Sequence, residues 1–332
     1  MKTTGRVIVI LSLVLATALV GCKKDEKKSA SSAGGGAAKP AAGDVRQALA
    51  MIPIDADGVL GVDLGALRKS ELFKSYEKDV VERVGGDLAA FKQACGFDPM
   101  DKVQQVVAGA KGKRGSEDVI AVLRGLPRTE MMACADKASK DPTLVPDTTV
   151  TIDGAFVVVS SSRGAIGLTF IDDATLVAAR KAGAAPTKAE MDAIVAAKDG
   201  DGITGSKGFM DMIDGLDTTR SVWFVLNGHS QTIRDAGRGF LDFEAAFGTV
   251  DITSSLDLQL SARLESEDAA KGMADGFGRT LDSMKKSLLK GVITDVTVES
   301  KGKDVRLHAK MTRDQLTQLA DFAKGMLGNL LR

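Results

Sequence analysis

The sequence predicts an α+β fold: antiparallel sheets covered by amphipathic helices on one face, built from a duplicated strand-helix-strand-strand-helix-strand module. Three observations predict it. Leu256, Leu258, Leu260, Ala262 and Leu264 alternate with Asp257, Gln259, Ser261 and Arg263, the period of a half-buried strand. Ala270, Met273, Phe277, Leu281, Met284 and Leu288 follow at spacings of three or four, which gathers them into one stripe of a long helix. The order of elements between residues 59 and 197 also recurs between 222 and 330.

The first half opens with a strand over Val59 to Leu64. A helix follows from Arg68 to Val84, and a second covers Asp87 to Cys95. Val103 to Ala110 and Val119 to Arg124 read as strands, turning through Gly112, Gly115 and Ser116. Thr129 to Ala138 reads as a helix. Four short strands come next, Thr149 to Ile152, Ala155 to Ser160, Ile166 to Ile171 and Thr175 to Ala179, with Asp153-Gly154 as the hairpin signal between the first two. Thr187 and Glu190 form a capping box that opens a helix running to Ala197.

The second half repeats the order. Val222 to Leu226 is a strand around Trp223, Gln231 to Phe240 a helix, and Thr249 to Thr253 and Leu256 to Leu264 are strands. Ser266 caps the long helix, and Glu267 and Asp268 suit its positive N-terminus. Val292 to Glu299 and Val305 to Met311 are strands turning at Lys301-Gly302. Thr312 and Gln315 open a last helix with the apolar face Leu316, Leu319, Ala323, Met326, Leu327 and Leu330. The boundary falls near residues 198 to 206, dividing the globular part into 44–198 and 199–332. The spacings of the two halves differ, and their sequences match poorly.

The N-terminus carries an address. Lys2 and Arg6 precede Val7 to Val20, an apolar run broken only by Ser12 and Thr17. A membrane-spanning helix needs about 20 apolar residues, so this shorter run fits a signal-peptide core. It ends in Leu19-Val20-Gly21-Cys22, which resembles the lipobox of bacterial lipoproteins. The resemblance implies a signal peptide over residues 1–21, cleavage before Cys22, diacylglycerol on the Cys22 thiol and acylation of its new amino group. Two or more acyl chains give stable anchoring. Lys23, rather than Asp, at the next position implies sorting to the outer membrane. Residues 22–43 hold nothing more apolar than Ala after the cysteine, so the sequence predicts a lipidated Cys on a flexible tether.

Two cysteines remain, Cys95 and Cys134. An oxidising envelope compartment favours a disulfide between them, and two buried free thiols are the alternative. The globular part also resembles uncharacterised envelope lipoproteins of myxobacteria-like lineages through Pro53 to Ala56, Cys95-Gly96-Phe97-Asp98-Pro99 and the later Cys134. That resemblance implies no activity.

Charge narrows the partners. The whole chain has 44 basic and 44 acidic side chains. Without the leader and the tether, which holds five lysines, Asp25 and Glu26, 37 basic groups face 42 acidic ones. A mildly acidic domain with one Trp, one Tyr and interspersed signs argues against nucleic acid.

No motif carries chemistry. Gly200 to Lys207 has the glycines of a phosphate loop but Ser-Lys where Lys-Ser is needed. Asp199 and Asp201 begin a calcium loop that Ile203, Thr204 and Met210 do not continue. Ser160 to Ser162 lack the glycine of a nucleophile elbow. Asp172-Asp173 reads as a turn. His229 and His308, the two histidines, have no recognisable partner. The sequence therefore predicts no catalytic, cofactor or metal residues. It points to a membrane-anchored, non-enzymatic binding or scaffolding module with an envelope protein partner. The alternative is a carrier or sensor of an apolar ligand between sheet and helices, lined by residues such as Met273, Phe277 and Met284. A lesser one is an enzyme with an unrecognised site.

Overall fold

The computed structural model describes residues 42–77, 91–113, 116–145, 147–162, 164–231, 233–234, 243–286 and 294–319. The lipobox, the tether up to residue 41 and most of the expected helices at 231–240 and 312–330 lie outside them.

Twelve described strands form one antiparallel sheet: β1 (Gly58–Asp63), β2 (Gln105–Lys111), β3 (Asp118–Arg124), β4 (Thr148–Asp153), β5 (Phe156–Ser161), β6 (Gly164–Phe170), β7 (Thr175–Arg180), β8 (Val222–Asn227), β9 (Ala245–Ile252), β10 (Ser255–Arg263), β11 (Asp295–Lys301) and β12 (Asp304–Thr312). Their spatial order is β11-β12-β10-β9-β8-β1-β2-β3-β7-β6-β5-β4. The helices used below are α1 (Ala42–Met51), α2 (Leu64–Lys69), α3 (Arg128–Lys140), α4 (Lys188–Val195), α5 (Lys207–Ile213) and α6 (Glu267–Lys286).

The path of the chain explains the repeated order of elements. From β1 at the centre it steps outward to β2 and β3, crosses through α3 to the edge at β4, and returns through β5 and β6 to β7 beside β3. From β8, antiparallel to β1, it steps the other way to β9 and β10. It then crosses through α6 to the edge at β11 and returns to β12 beside β10. The first half makes four return strands and the second two, so their spacings in sequence differ.

The α+β class predicted from the sequence is the one observed, with two differences. There is one continuous sheet where the sequence reading had sheets, because β1 pairs with β8 from Gly58–Leu226 to Val62–Val222. Helices also lie on both faces, not one. On one face, Leu49 and Ile52 of α1, Met191 of α4 and Phe209 and Met210 of α5 pack on Val107, Ile120, Val122, Val177, Trp223 and Val225. On the other, Met131 of α3 packs with Val106, Leu123, Leu168 and Leu176, and Ala270, Met273 and Ala274 of α6 pack with Val298 and Val305. The reason is visible in β7, where Thr175 to Ala179 are all buried; a strand covered on both sides reads as a continuous apolar run, not an alternation.

Further out in the second half the sheet stays amphipathic. Asp257, Gln259, Ser261 and Arg263 of β10 lie across from Lys310, His308, Arg306 and Asp304 of β12, and Arg263 Nε donates to Asp304 Oδ1 at 2.8 Å. Phe277, expected in the buried stripe of the long helix, is 46% exposed, because α6 buries itself chiefly through Ala270 and Ala274.

Two glycines seat the largest side chains of the core. A Cβ on Gly61 would overlap the Trp223 indole from the neighbouring strand, and one on Gly109 would overlap Ile52. Trp223 is 1% exposed. Gly61→Ala should therefore destabilise the fold by about 1–3 kcal/mol, the usual range for overpacking. Trp223 is the sole Trp, so urea unfolding followed by its emission measures both the loss and the displacement of the ring.

Candidate shallow apolar groove

The last turn of α1 sets one wall of a groove of about 560 Å³. Val45, Ala48, Leu49 and Ile52 are spaced as one helical stripe, and all four are buried. That fixes α1 on the sheet and leaves the segment from Pro53 to Asp55 at the surface. The opposite wall is the end of α4, with Ile194, Ala196 and Ala197; Ile120 and Asp201-Gly202 complete the lining. At the rim, Ile54 is 53% exposed.

The groove is held rigid from below. The Gly-rich stretch between the halves is an ordered turn, not a loose connection. Gly202 has φ +49°, and a Cβ there would collide with the carbonyl groups of Ala50 and Ile52. Ile203 N–H donates to the Ile52 carbonyl at 2.9 Å, and Ile203 is fully buried. Lys198 N–H donates to Asp201 Oδ2 at 2.8 Å. Arg46 of α1 lies 3.6 Å from Asp199 and 3.9 Å from Asp214. Ser206 Oγ then caps α5 by accepting from Phe209 N–H at 3.5 Å.

The α4 wall is fixed by its capping box. Thr187 Oγ1 accepts from Glu190 N–H at 3.3 Å, and Glu190 Oε2 accepts from Thr187 N–H at 2.8 Å. Lys181 Nζ pairs with the same carboxylate. The Lys181 hydrogen bond, followed by those from Thr187, holds the Glu190 carboxyl down to about 2. On the other side Lys111 pairs with Asp55, and this hydrogen bond raises the Lys111 ammonium above its usual range. The floor and walls are aliphatic and the ionic groups sit at the rim, so the arrangement suits apolar contact with charged margins.

The residues singled out in the sequence are scattered elsewhere. Cys22 lies outside the described residues. Cys95 and Cys134 are joined as a disulfide with Cα atoms 4.8 Å apart, tying the segment before Gly96 to α3, where Lys137 Nζ also donates to the Ala94 carbonyl at 3.1 Å. Asp172 Oδ1 accepts from Ala174 and Thr175 N–H at 2.8 and 2.7 Å, the turn expected there. Burial pushes Asp172 up, but these bonds outweigh it and leave its carboxyl below the usual range. Lys207 pairs with Asp211 one turn along α5 at 2.6 Å, so its ammonium is engaged on its own helix. His229 N–H donates to Asn227 Oδ1 at 3.0 Å.

His308 has a partner that sequence spacing did not reveal. Its Nε2 lies 3.1 Å from Asp257 Oδ1, and Arg220 donates to the same oxygen at 3.1 Å. Burial raises the Asp257 carboxyl, but Arg220 and His308 together bring it below the usual range. Ser221 is turned to a different acid, donating to Asp251 Oδ1 at 3.0 Å. The carrier lining named from the sequence, Met273, Phe277 and Met284, does not line this groove.

Two elements of the site were missed in the sequence. The stripe Val45, Ala48, Leu49, Ile52 was readable, but it follows the Ala-rich tether without a break in composition. Ser206 followed by Phe209, Met210, Met212 and Ile213 was likewise readable as a capped, buried helix.

The fold is a single antiparallel sheet whose chain winds outward in opposite directions from β1 and from β8. No family model and no curated protein matches the chain. Among solved structures it is similar to TP0453 in crystal form III, with a TM-score of 0.54 and 10% identity over 81% of this chain and 96% of that one. It is similar to TP0453 in crystal form I at a TM-score of 0.52 and 10% identity, covering 83% and 97%. The likeness is one of fold.

Two outcomes test these local arrangements. Glu190 has its carboxyl held at about 2 against an ordinary 4.5, so its contribution is whole above pH 4.5 and is lost as pH falls toward 2. Glu190→Gln should flatten acid unfolding across that window, read by circular dichroism. Replacing Cys95 and Cys134 by Ser should cost about 2–4 kcal/mol in urea unfolding, and reductant should reproduce the loss in the parent chain.

Proposed function

We propose that this protein is a lipid-anchored envelope protein that works by binding a protein partner, not by catalysis. The observation that carries the binding role is the exposed Ile54 beside an apolar groove whose walls are pinned by Gly202 and the α4 capping box. Preorganised walls lower the ordering cost of association, and an aliphatic anchor surrounded by charged margins resembles the centre and rim of a protein interface. The anchor itself is carried by the lipobox ending in Cys22, with Lys23 favouring the outer membrane. Among the described residues no helix is long and apolar enough to cross a membrane.

A carrier role is the second reading, favoured by the volume of the groove, about 560 Å³, which falls within the span of small-ligand sites of roughly 300–1,000 Å³. The groove is open along its length, which favours the partner reading.

One experiment separates these. Wild-type protein, Cys22→Ala and Ile54→Asp are expressed in the same bacterial host, and envelopes are fractionated, cross-linked and captured. Cys22→Ala should lose acyl labelling and leave the membrane fraction. Ile54→Asp should stay on the membrane with its stability changed by no more than about 0.5 kcal/mol, as for an exposed site, yet lose the captured partner. A lipid lost in place of a protein would move the reading to the carrier. Retention of all captured material by Ile54→Asp would overturn the groove as the binding site.

A further inference from the structure

The two edges of the sheet are built differently. Edge strand β11 carries Asp295, Glu299 and Lys301, all exposed, the charges that keep edges from pairing. Edge strand β4 reads Thr148-Thr149-Val150-Thr151-Ile152-Asp153, five β-branched residues in succession with no charge before Asp153. Its pairing with β5 leaves the other side without a strand among the described residues.

Which main-chain groups point outward follows from the hairpin. Asp153 pairs with Phe156 across Gly154-Ala155, and Gly154 has φ +61°, the first position of a type II′ turn. A two-residue hairpin closes on a hydrogen-bonded pair. Alternation from there turns the N–H and C=O of Asp153, Thr151 and Thr149 toward β5, and those of Ile152 and Val150 away from it. In agreement, Thr148 N–H turns to the Val145 carbonyl at 3.2 Å.

We propose that β4 is a self-association edge, pairing antiparallel with β4 of a second copy of this chain about a twofold axis at Thr151. A twofold normal to the sheet keeps each residue on its own face, so partners must be an even number of residues apart. Centring on Thr151 places Val150 opposite Ile152 of the second copy, and the two symmetric pairs exchange four main-chain hydrogen bonds. It also places Thr149 opposite Asp153, and Thr151 opposite Thr151. Centring on Val150 would set Asp147 against Asp153, a like-charge pair that opposes pairing. Centring on Ile152 runs the second copy into the hairpin turn. On the face covered by α3, the half-buried Val150 and Ile152 gain an apolar neighbour. The area is that of a single strand pair, well below the roughly 1,200 Å² of a stable interface, so the pairing is weak in solution and strengthens where copies are concentrated. The geometry does not depend on the proposed anchor; only the local concentration does.

The test is cysteine cross-linking in the full-length mature protein, both in envelopes and purified in detergent, with the parent chain as the blank for Cys22. The axis makes Thr151 a non-hydrogen-bonded pair with Cα atoms about 4.5 Å apart, within disulfide reach. Thr149 and its counterpart are about 14 Å apart by the strand rise. Under mild oxidation Thr151→Cys should form a disulfide dimer at least about tenfold faster than Thr149→Cys, or than Thr297→Cys on the other edge, because only the first pair is within bonding distance. Adding Ile152→Pro, which removes an outward N–H and leaves the β5 ladder intact, should abolish it. Equal rates at Thr151, Thr149 and Thr297, or a dimer that survives Ile152→Pro, would overturn the proposal. A Thr151→Cys dimer in detergent but not in envelopes would overturn it for the anchored protein; a dimer in both supports it whether or not Cys22 carries lipid.

Discussion

The pairing of β1 with β8 is the constraint on which the rest of this structure depends. It joins two halves that each begin at the centre and wind outward, and it places Trp223 over Gly61, with no Cβ between ring and backbone. The core above this seam draws on both halves at once: Val59, Val107 and Val122 from one, Trp223, Val225 and Phe247 from the other, in one cluster with residues of α1 and α5. A core shared in this way makes neither half a unit that can lose its partner without exposing Trp223. It also explains why the Gly-rich crossover must be ordered, since Gly202 and Ile203 close the end of α1 against that core.

From the seam outward the two wings diverge. The first has helices on both faces, so β7 is buried from Thr175 to Ala179 and β3 from Ile120 to Val122. The second has α6 on one face, and a ladder of Asp257, Gln259, Arg263, Arg306 and His308 on the other. That polar face accounts for His308: an imidazole beside an Asp that already accepts from Arg220 sits in a surface ion-pair network. The seam and the first wing carry most of the apolar burial, and among the described residues the large aliphatic or aromatic side chains left exposed are Ile54 at the rim and Phe277 on α6.

Period-2 alternation in β10, the Thr187–Glu190 capping box and the two hairpins were legible because each is a local rule obeyed locally, although the hairpin loops fall one residue later than expected, at Gly154-Ala155 and Gly302-Lys303. The α+β class followed from them. The pairing of β1 with β8 was not legible, since the partners Val59 and Val225 are 166 residues apart in sequence and nothing local encodes the match. Coverage of both faces was hidden for a related reason: a run such as Leu176-Val177-Ala178-Ala179 says that a strand is buried, not which helices bury it. The groove was missed because its walls come from α1 and α4, far apart in sequence, and because α1 begins in the same Ala-rich composition as the tether. The Cys95–Cys134 bridge was the expectation once Cys22 was set aside for lipid and an oxidising compartment was assumed, with two buried thiols as the alternative.

The exposure of Ile54 has a physical logic within this architecture. Burying an aliphatic side chain of that size is worth about 1.5–3 kcal/mol, and the chain forgoes it although Ile52, two residues earlier, is fully buried on Gly109. The geometry of the turn leaves no choice between them. Ile52 occupies the seat on the sheet, its carbonyl is engaged by Ile203, and Asp55 is drawn outward to Lys111. Ile54 therefore sits on a turn tied to Ile203 on one side and Lys111 on the other, 53% exposed at the lip of the groove. The constraint that builds the core at Ile52 is the same one that presents Ile54.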